Sequence, residues 1–369
     1  MNIGQLISLA ESINTEITKQ AAQIWPGFAP VPFILYDDKI RVAVGTDWPE
    51  SYTNVRGDIW VSDNAKDGLF GCTACNYHGR IVAIWDIRTW GKQIDMANCV
   101  GNVVHEMFHA FQHKFSATNW GNEFALLDFR HTPRAVALLM AERRVMSGYL
   151  QGTDTLSAFQ KIAELRAKRE HEAGKEIVLI DKTLETAEGM AYYVEIKTSA
   201  KVRNTKPALY DANLTSFTSE MLTNYRARCY TPGAVFCLMA DELTPGWHSD
   251  WAKSGKHIFD WLTAHVSNTA HGMDIFSDDL QIAENLIDDF NLEKKKSIDK
   301  FLSQPLSVHD KNIEIMSLDP MNIICHENIC LHKRAVQFKI DGAEQLIPHP
   351  VAHKYGEHLW DIKEIYIPN

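Results

Sequence analysis

The sequence predicts an α+β fold, mainly helical, with a β-rich N-terminal lobe, a helical lobe and a small C-terminal β-rich unit. Three observations predict it. Short strand patterns punctuated by turn residues fill residues 26–94. From Asp95 to Leu302 the hydrophobic period becomes that of helices, and past Ser303 short strand patterns return. The expected organisation is one domain over residues 1–303 and a β unit over 304–369. Within the first, the β lobe covers about 26–94, a buried helix 95–114 and the helical lobe 115–303.

The elements follow in order. Ile3, Leu6, Ile7, Leu9, Ile13 and Ile17 recur at helical spacing and make the first helix. Pro32 to Gly45 reads as two strands around the turn dipeptide Asp37-Asp38. Asp58–Val61 and Arg80–Trp85 are further strands. Helices are expected at Asp95–Lys114, Pro133–Leu150, Thr155–His171, Asp181–Thr198, Pro232–Leu243 and Asp278–Phe301. Asn312–Met316, Met321–Cys325, Ala335–Ile340 and Ile362–Ile367 read as strands. Trp60, Trp85 and Trp90 are expected as core aromatics.

Charge and composition exclude several function classes. The 369 residues carry a net charge of -10, so the basic footprint of a nucleic-acid binder is missing. Lys294-Lys295-Lys296 reads as a solvated helix face. The N-terminal segment has no basic flank and no uninterrupted apolar core, so it does not read as a signal peptide. No stretch has the length of a membrane-spanning helix. Seven cysteines, an odd number, imply reduced thiols and a cytoplasmic location.

Chemistry concentrates in Val104-His105-Glu106-Met107-Phe108-His109. Residues i and i+4 of a helix lie about 40° apart on one face, so His105 and His109 aim two imidazoles at one point. That is the spacing a tetrahedral zinc ion requires, with Glu106 beside the metal as general base. The apolar neighbours Val103, Val104, Met107, Phe108 and Phe111 imply burial, where unpaired imidazoles would be costly. Gln112 and Phe115 stand where a metzincin has Gly and His, which excludes that class. His113 reads as a polar helix end.

A catalytic zinc takes a third protein ligand. Downstream, Leu184, Ala187, Ala191 and Val194 form an apolar stripe, and Glu185, Glu188, Tyr192 and Glu195 an adjacent polar one. Gly189 beside Glu188 admits the close approach of another backbone. With HExxH followed by Glu188-Gly189-x-x-x-Tyr193-x-Glu195, the chain resembles the gluzincins, zinc peptidases of the thermolysin and aminopeptidase clan. The resemblance implies a zincin-like catalytic domain with Glu188 as third ligand and Glu195 orienting a ligand histidine. Tyr230-Thr231-Pro232-Gly233 resembles the aminopeptidase Tyr-x-x-Gly segment, which implies that Tyr230 steadies the developing oxyanion. Leu69–Cys75 falls where that branch has its cleft-lining strand.

Cys72, Cys75 and Cys99 are expected as reduced thiols. Cys325-x-x-x-x-Cys330-x-His332 could hold a metal or a disulfide, and alternates as plain hairpin strands would. The expected protein is a zinc-dependent peptide hydrolase with one Zn2+ per chain, held by His105, His109 and Glu188. Glu106 is general base on a zinc-activated water, Tyr230 the oxyanion donor, and a peptide or protein the substrate. Two alternatives stand beside it: a zinc-holding scaffold or peptide-binding protein without turnover, and a zinc hydrolase of a non-peptide amide or ester.

Overall fold

A computed structural model describes residues 1–63, 69–91, 93–114, 123–127, 129–209, 212–267, 272–310, 312–318 and 322–369. The chain opens with α1 (Ile3–Ile24), then β1 (Phe33–Tyr36), β2 (Arg41–Val44), β3 (Thr53–Arg56), β4 (Ile59–Ser62), β5 (Thr73–Tyr77) and β6 (Arg80–Asp86). Helices follow: α2 (Met96–Gln112), α3 (Pro133–Leu150), α4 (Thr155–Ala173), α5 (Lys175–Leu184), a π-helical turn (Glu185–Gly189) and α6 (Met190–Arg203). Next come α7 (Ala212–Thr215), α8 (Glu220–Thr223), α9 (Tyr225–Leu243), α10 (His248–Ser254), α11 (Ile258–His265) and α12 (Asp279–Leu302). The chain ends in β7 (Leu306–His309), β8 (Ile313–Ser317), β9 (Ile323–His326), β10 (Ile329–His332), β11 (Val336–Ile340), β12 (Ala343–Ile347), β13 (Val351–Tyr355) and β14 (Ile362–Pro368). The α+β class and the β-rich C-terminal segment agree with the sequence reading. Among the described residues, no helix is long and apolar enough to cross a membrane.

Contacts divide the chain into two units, the first comprising Met1–Asn119, Lys182–Asp211 and Cys229–Ser267. Its six strands run in the order β3-β4-β2-β1-β6-β5. The β1–β2 hairpin turns where expected, because Asp37 Oδ1 accepts the Lys39 and Ile40 N–H groups at 2.8 and 2.9 Å. β1 is antiparallel to β2 and parallel to β6, and β5 forms an antiparallel edge on β6. α2 packs on β5 and β6 and against α6. It starts where the Asp95 carboxylate accepts the Asn98 N–H at 3.0 Å. Gly101 sets its approach to α6, since a Cβ there would lie 2.2 Å from Ser199 Oγ and 3.0 Å from Glu195 O. Trp60, Trp85 and Trp90 are partly buried: Trp60 packs against the core cluster that includes Ile34, Ala43 and Ile84, while Trp85 and Trp90 stack on each other at 5.8 Å.

The second unit comprises Trp120–Asp181, Ala212–Arg228 and Asn268–Asn369. Val136 and Met140 of α3 meet Ala283, Leu286 and Phe290 of α12 in its core. The C-terminal strands form two antiparallel sheets, β7-β14-β13-β10-β9 and β12-β11-β8. Ile298 and Phe301 of α12 pack on Ile324, Leu331 and Ala352, so helix and sheet share one core across the boundary expected at residue 303. The strand start expected at Met321 lies outside the described residues. Cys325 and Cys330 face each other directly across the β9–β10 hairpin and form a disulfide, which corrects the expectation of seven reduced thiols.

Two helix boundaries also differ from the sequence reading. The single helix expected over Asp181–Thr198 is interrupted by the π turn. The helix expected to begin at Pro232 begins at Tyr225, with Pro232 inside it. Proline lacks the N–H that would pair with the carbonyl four residues back. That carbonyl, Arg228 O, instead accepts from Arg143 Nη1 at 3.0 Å.

Candidate metal centre

His105 and His109 stand one turn apart on α2, with ring centroids 4.8 Å apart and His105 only 4% exposed. The π turn faces them. Its widened backbone presents Glu188, 4% exposed, and Gly189 makes the next helix crossing tight. A Cβ on Gly189 would lie 2.4 Å from Gly233 Cα, and one on Gly233 would lie 2.0 Å from Glu185 O. The two glycines therefore let α9 lie backbone-to-backbone on the π turn. That contact carries Tyr230, three residues before Gly233, to His105, where the rings stack at 5.6 Å and 14°.

Among the described residues, His105, His109 and Glu188 form the one group whose donor atoms could hold a metal, all within 4.8 Å of one another. Glu188 Oε2 lies 3.5 Å from His105 Nε2 and 3.3 Å from His109 Nε2. It is buried and meets no hydrogen-bond partner of acceptable geometry among the described residues. Zinc bonds of about 2.0–2.1 Å at tetrahedral angles hold neighbouring donors about 3.3 Å apart. The two-imidazole, one-carboxylate set thus fits zinc by chemistry and by spacing. Glu185, the neighbouring carboxylate on the same turn, is buried at 3% exposure but is not part of the group.

Hydrogen bonds behind each imidazole fix which nitrogen points forward. His105 Nδ1 lies 2.9 Å from Glu195 Oε2, and a carboxylate can only accept, so Nδ1 donates and the neutral imidazole that a metal requires has its bare nitrogen at Nε2. Glu195 Oε1 accepts from Asn102 Nδ2 at 3.0 Å, and Asn102 Oδ1 accepts from Trp90 Nε1 at 3.0 Å. Glu195 thus joins the His105 imidazole on one oxygen to Asn102 on the other. His109 Nδ1 lies 2.8 Å from Gln112 Oε1.

The charges are strongly coupled. Burial disfavours the His105 imidazolium, but Glu188 and Glu195 beside it outweigh burial and raise its pKa well above the ordinary value. Burial also works against the Glu188 carboxylate, yet the two histidines hold it well below the usual carboxylate range. Glu106 is 7% exposed, and burial raises it above the ordinary value against the opposing pull of His105 and His109.

The remaining sequence candidates separate cleanly. His113 caps the end of α2 and is exposed. Tyr225, the tyrosine five residues before Tyr230, is turned to Leu126 O at 3.4 Å and His131 Nε2 at 3.3 Å. Cys72, Cys75 and Cys99 remain thiols, the first two half-buried. Tyr230 precedes the helix start expected at Pro232 and lies inside α9, which begins at Tyr225. Asn102 and Gln112 were given no site role in the sequence reading, and Trp90 was read only as a core aromatic. The signal for Asn102 and Gln112 is position, three residues before His105 and three after His109, one helical turn from each histidine. Comparison with protein-family models, curated proteins and solved structures finds no match.

Proposed function

We propose that the protein is a zinc-dependent peptide hydrolase in which His105, His109 and Glu188 hold the metal. The observation that carries the reading is the buried Glu188 Oε2 set 3.3 and 3.5 Å from two imidazole nitrogens, with Glu106 adjacent on the same helix. A bound zinc ion supplies Lewis acidity and lowers the pKa of water toward neutrality. Glu106 accepts the proton of the attacking water and returns it to the leaving amine. Tyr230 donates to the carbonyl oxygen as negative charge develops there. β5, the edge of its sheet beside α2, offers backbone donors and acceptors to an extended peptide.

The reading is tested by metal analysis of the purified protein and by a screen of peptides, amides and esters with and without chelator. Chelator-sensitive cleavage of peptides supports it, and zinc with turnover of esters alone, or with no turnover, favours the alternatives. Glu188→Ala is expected to lose most of the zinc. Full zinc in that variant, with loss in Glu185→Ala, would move the ligand to Glu185. Tyr230→Phe is expected to cut turnover about a hundred- to thousand-fold, or ~3–4 kcal/mol in the barrier. Zinc content and melting should stay unchanged in that variant, and unchanged turnover removes Tyr230 from the chemistry.

A further inference from the structure

We infer that Gln112 is a positioning residue whose single amide fixes both the forward nitrogen of His109 and the π turn that carries Glu188; the inference rests on the zinc reading of the site. Gln112 ends α2 one turn after His109 and is 2% exposed. Its Nε2 lies 2.8 Å from Ala187 O and 3.2 Å from Thr186 O. Both are backbone carbonyls, which only accept, so the amide NH2 must lie on that side. Oε1 is thereby turned to His109 Nδ1 at 2.8 Å. An amide oxygen only accepts, so His109 Nδ1 donates and Nε2 is left bare toward Glu188. Direction therefore passes from the backbone of the turn, through one side chain, to the nitrogen that meets the metal.

The carbonyls that Gln112 grips belong to the one turn of the α5–α6 helix that is not α-helical. In a π turn the N–H partners shift to i→i+5, and such turns are rare and persist where surrounding structure supports them. Thr186 adds a second brace from another direction, its Oγ1 accepting the Ile258 N–H at 3.0 Å. Gln112 is the brace that links the turn to the zinc helix. It holds Glu188 and His109 in register, as Glu195, Asn102 and Trp90 hold His105. A ligand set built from two elements needs such a tie, because small rotations of either helix would spread the donors beyond bonding distance.

The experiment compares the wild type with Gln112→Met, which keeps shape and removes both polar functions, and Gln112→Glu, which keeps the acceptor and removes the donor. Imidazole 15N NMR of the zinc-free proteins at alkaline pH reads the His109 tautomer directly. The wild type should show His109 with its proton on Nδ1, and Gln112→Met should move it toward Nε2. Zinc affinity by chelator competition should fall about 10- to 100-fold in Gln112→Met. Gln112→Glu should keep the Nδ1 tautomer yet still bind zinc more weakly than the wild type, with an altered visible spectrum when cobalt replaces zinc. A wild-type His109 protonated on Nε2 overturns the assignment without any variant needing to fold. Unchanged zinc affinity in Gln112→Met overturns it too, and full affinity in Gln112→Glu overturns the tie to the turn. A wild type that binds no zinc but shows the Nδ1 tautomer, lost in Gln112→Met, sinks the zinc reading and supports the role of Gln112.

Discussion

Glu106→Gln is expected to lower peptide turnover by about 10²- to 10⁴-fold, the usual contribution of a positioned proton-transfer group, with zinc and fold retained. The amide fills the space of the carboxyl but cannot take the proton of the attacking water. Retention of the fold follows from the surroundings. Burial, together with Glu188 and Glu195 nearby, already works against charge on Glu106, while His105 and His109 favour it. A neutral amide at this position relieves the first effect as it forfeits the second, so no large net cost arises. Zinc should stay because Glu106 is outside the group of His105, His109 and Glu188. Turnover, metal content and melting temperature measured together on one preparation check this. Turnover at the wild-type level removes Glu106 from the mechanism, and loss of zinc along with turnover makes it a ligand or a structural group.

Much of the site was legible because helical spacing is local. His105 and His109 share a face whatever surrounds them, since four residues make a little more than one turn. The apolar residues between them required burial, and the structure buries Val104, Met107 and Phe108 completely or nearly so. Gly189 was legible as a point of close approach, although its partner, Gly233, was named only for a different motif. Glu195 followed from the same motif and lies against His105.

What was not legible depended on residues distant in sequence. Pro232 starts a helix by every local rule, yet here it lies inside one because Arg143, far back on α3, takes the carbonyl it leaves unpaired. The π turn has no local signature. It is braced by Gln112 and by the backbone of Ile258, neither of which is near Glu185–Gly189 in the chain. The region after residue 303 was legible as β-rich, but its union with α12 was not, because hydrophobic pattern gives a buried face without naming what covers it. The Cys325–Cys330 bridge depended on register across the hairpin, and a slip of one residue would have turned the two side chains to opposite faces.

Glu142→Ala is expected to destabilise the second unit by ~3–5 kcal/mol, the cost of breaking a buried ion pair. Glu142 on α3 is fully buried, and so, to within a few per cent, are Arg166 and Arg169 of α4, Asp181 of α5 and Arg228 at the start of α9. Glu142 Oε2 accepts Arg166 Nε and Nη2 at 2.9 and 2.7 Å, and Oε1 accepts Arg169 Nε at 2.6 Å. Arg169 Nη1 continues to Asp181 Oδ2 at 2.6 Å, and Arg228 Nη2 meets Asp181 Oδ1 at 2.5 Å. Among the described residues, Glu142 and Asp181 are the carboxylates bonded to these three guanidinium groups, and removing Glu142 takes a buried negative charge from beside Arg166 and Arg169. The sign of the pH dependence follows. Burial raises the Glu142 pKa, but Arg166 and Arg169 outweigh it and hold the carboxyl below its ordinary range. A carboxyl depressed in the folded state contributes its full stability above the unfolded value of about 4.3 and loses it as pH falls through the folded value. The gap between wild type and Glu142→Ala should therefore be constant near neutrality and narrow only in acid. Denaturant melts over a series of pH values measure it, with Glu142→Gln as a variant that keeps the shape and one acceptor. That variant should lie between the wild type and Glu142→Ala. A loss under about 1 kcal/mol, the worth of an exposed ion pair, would mean that the network is solvated and the burial argument is wrong.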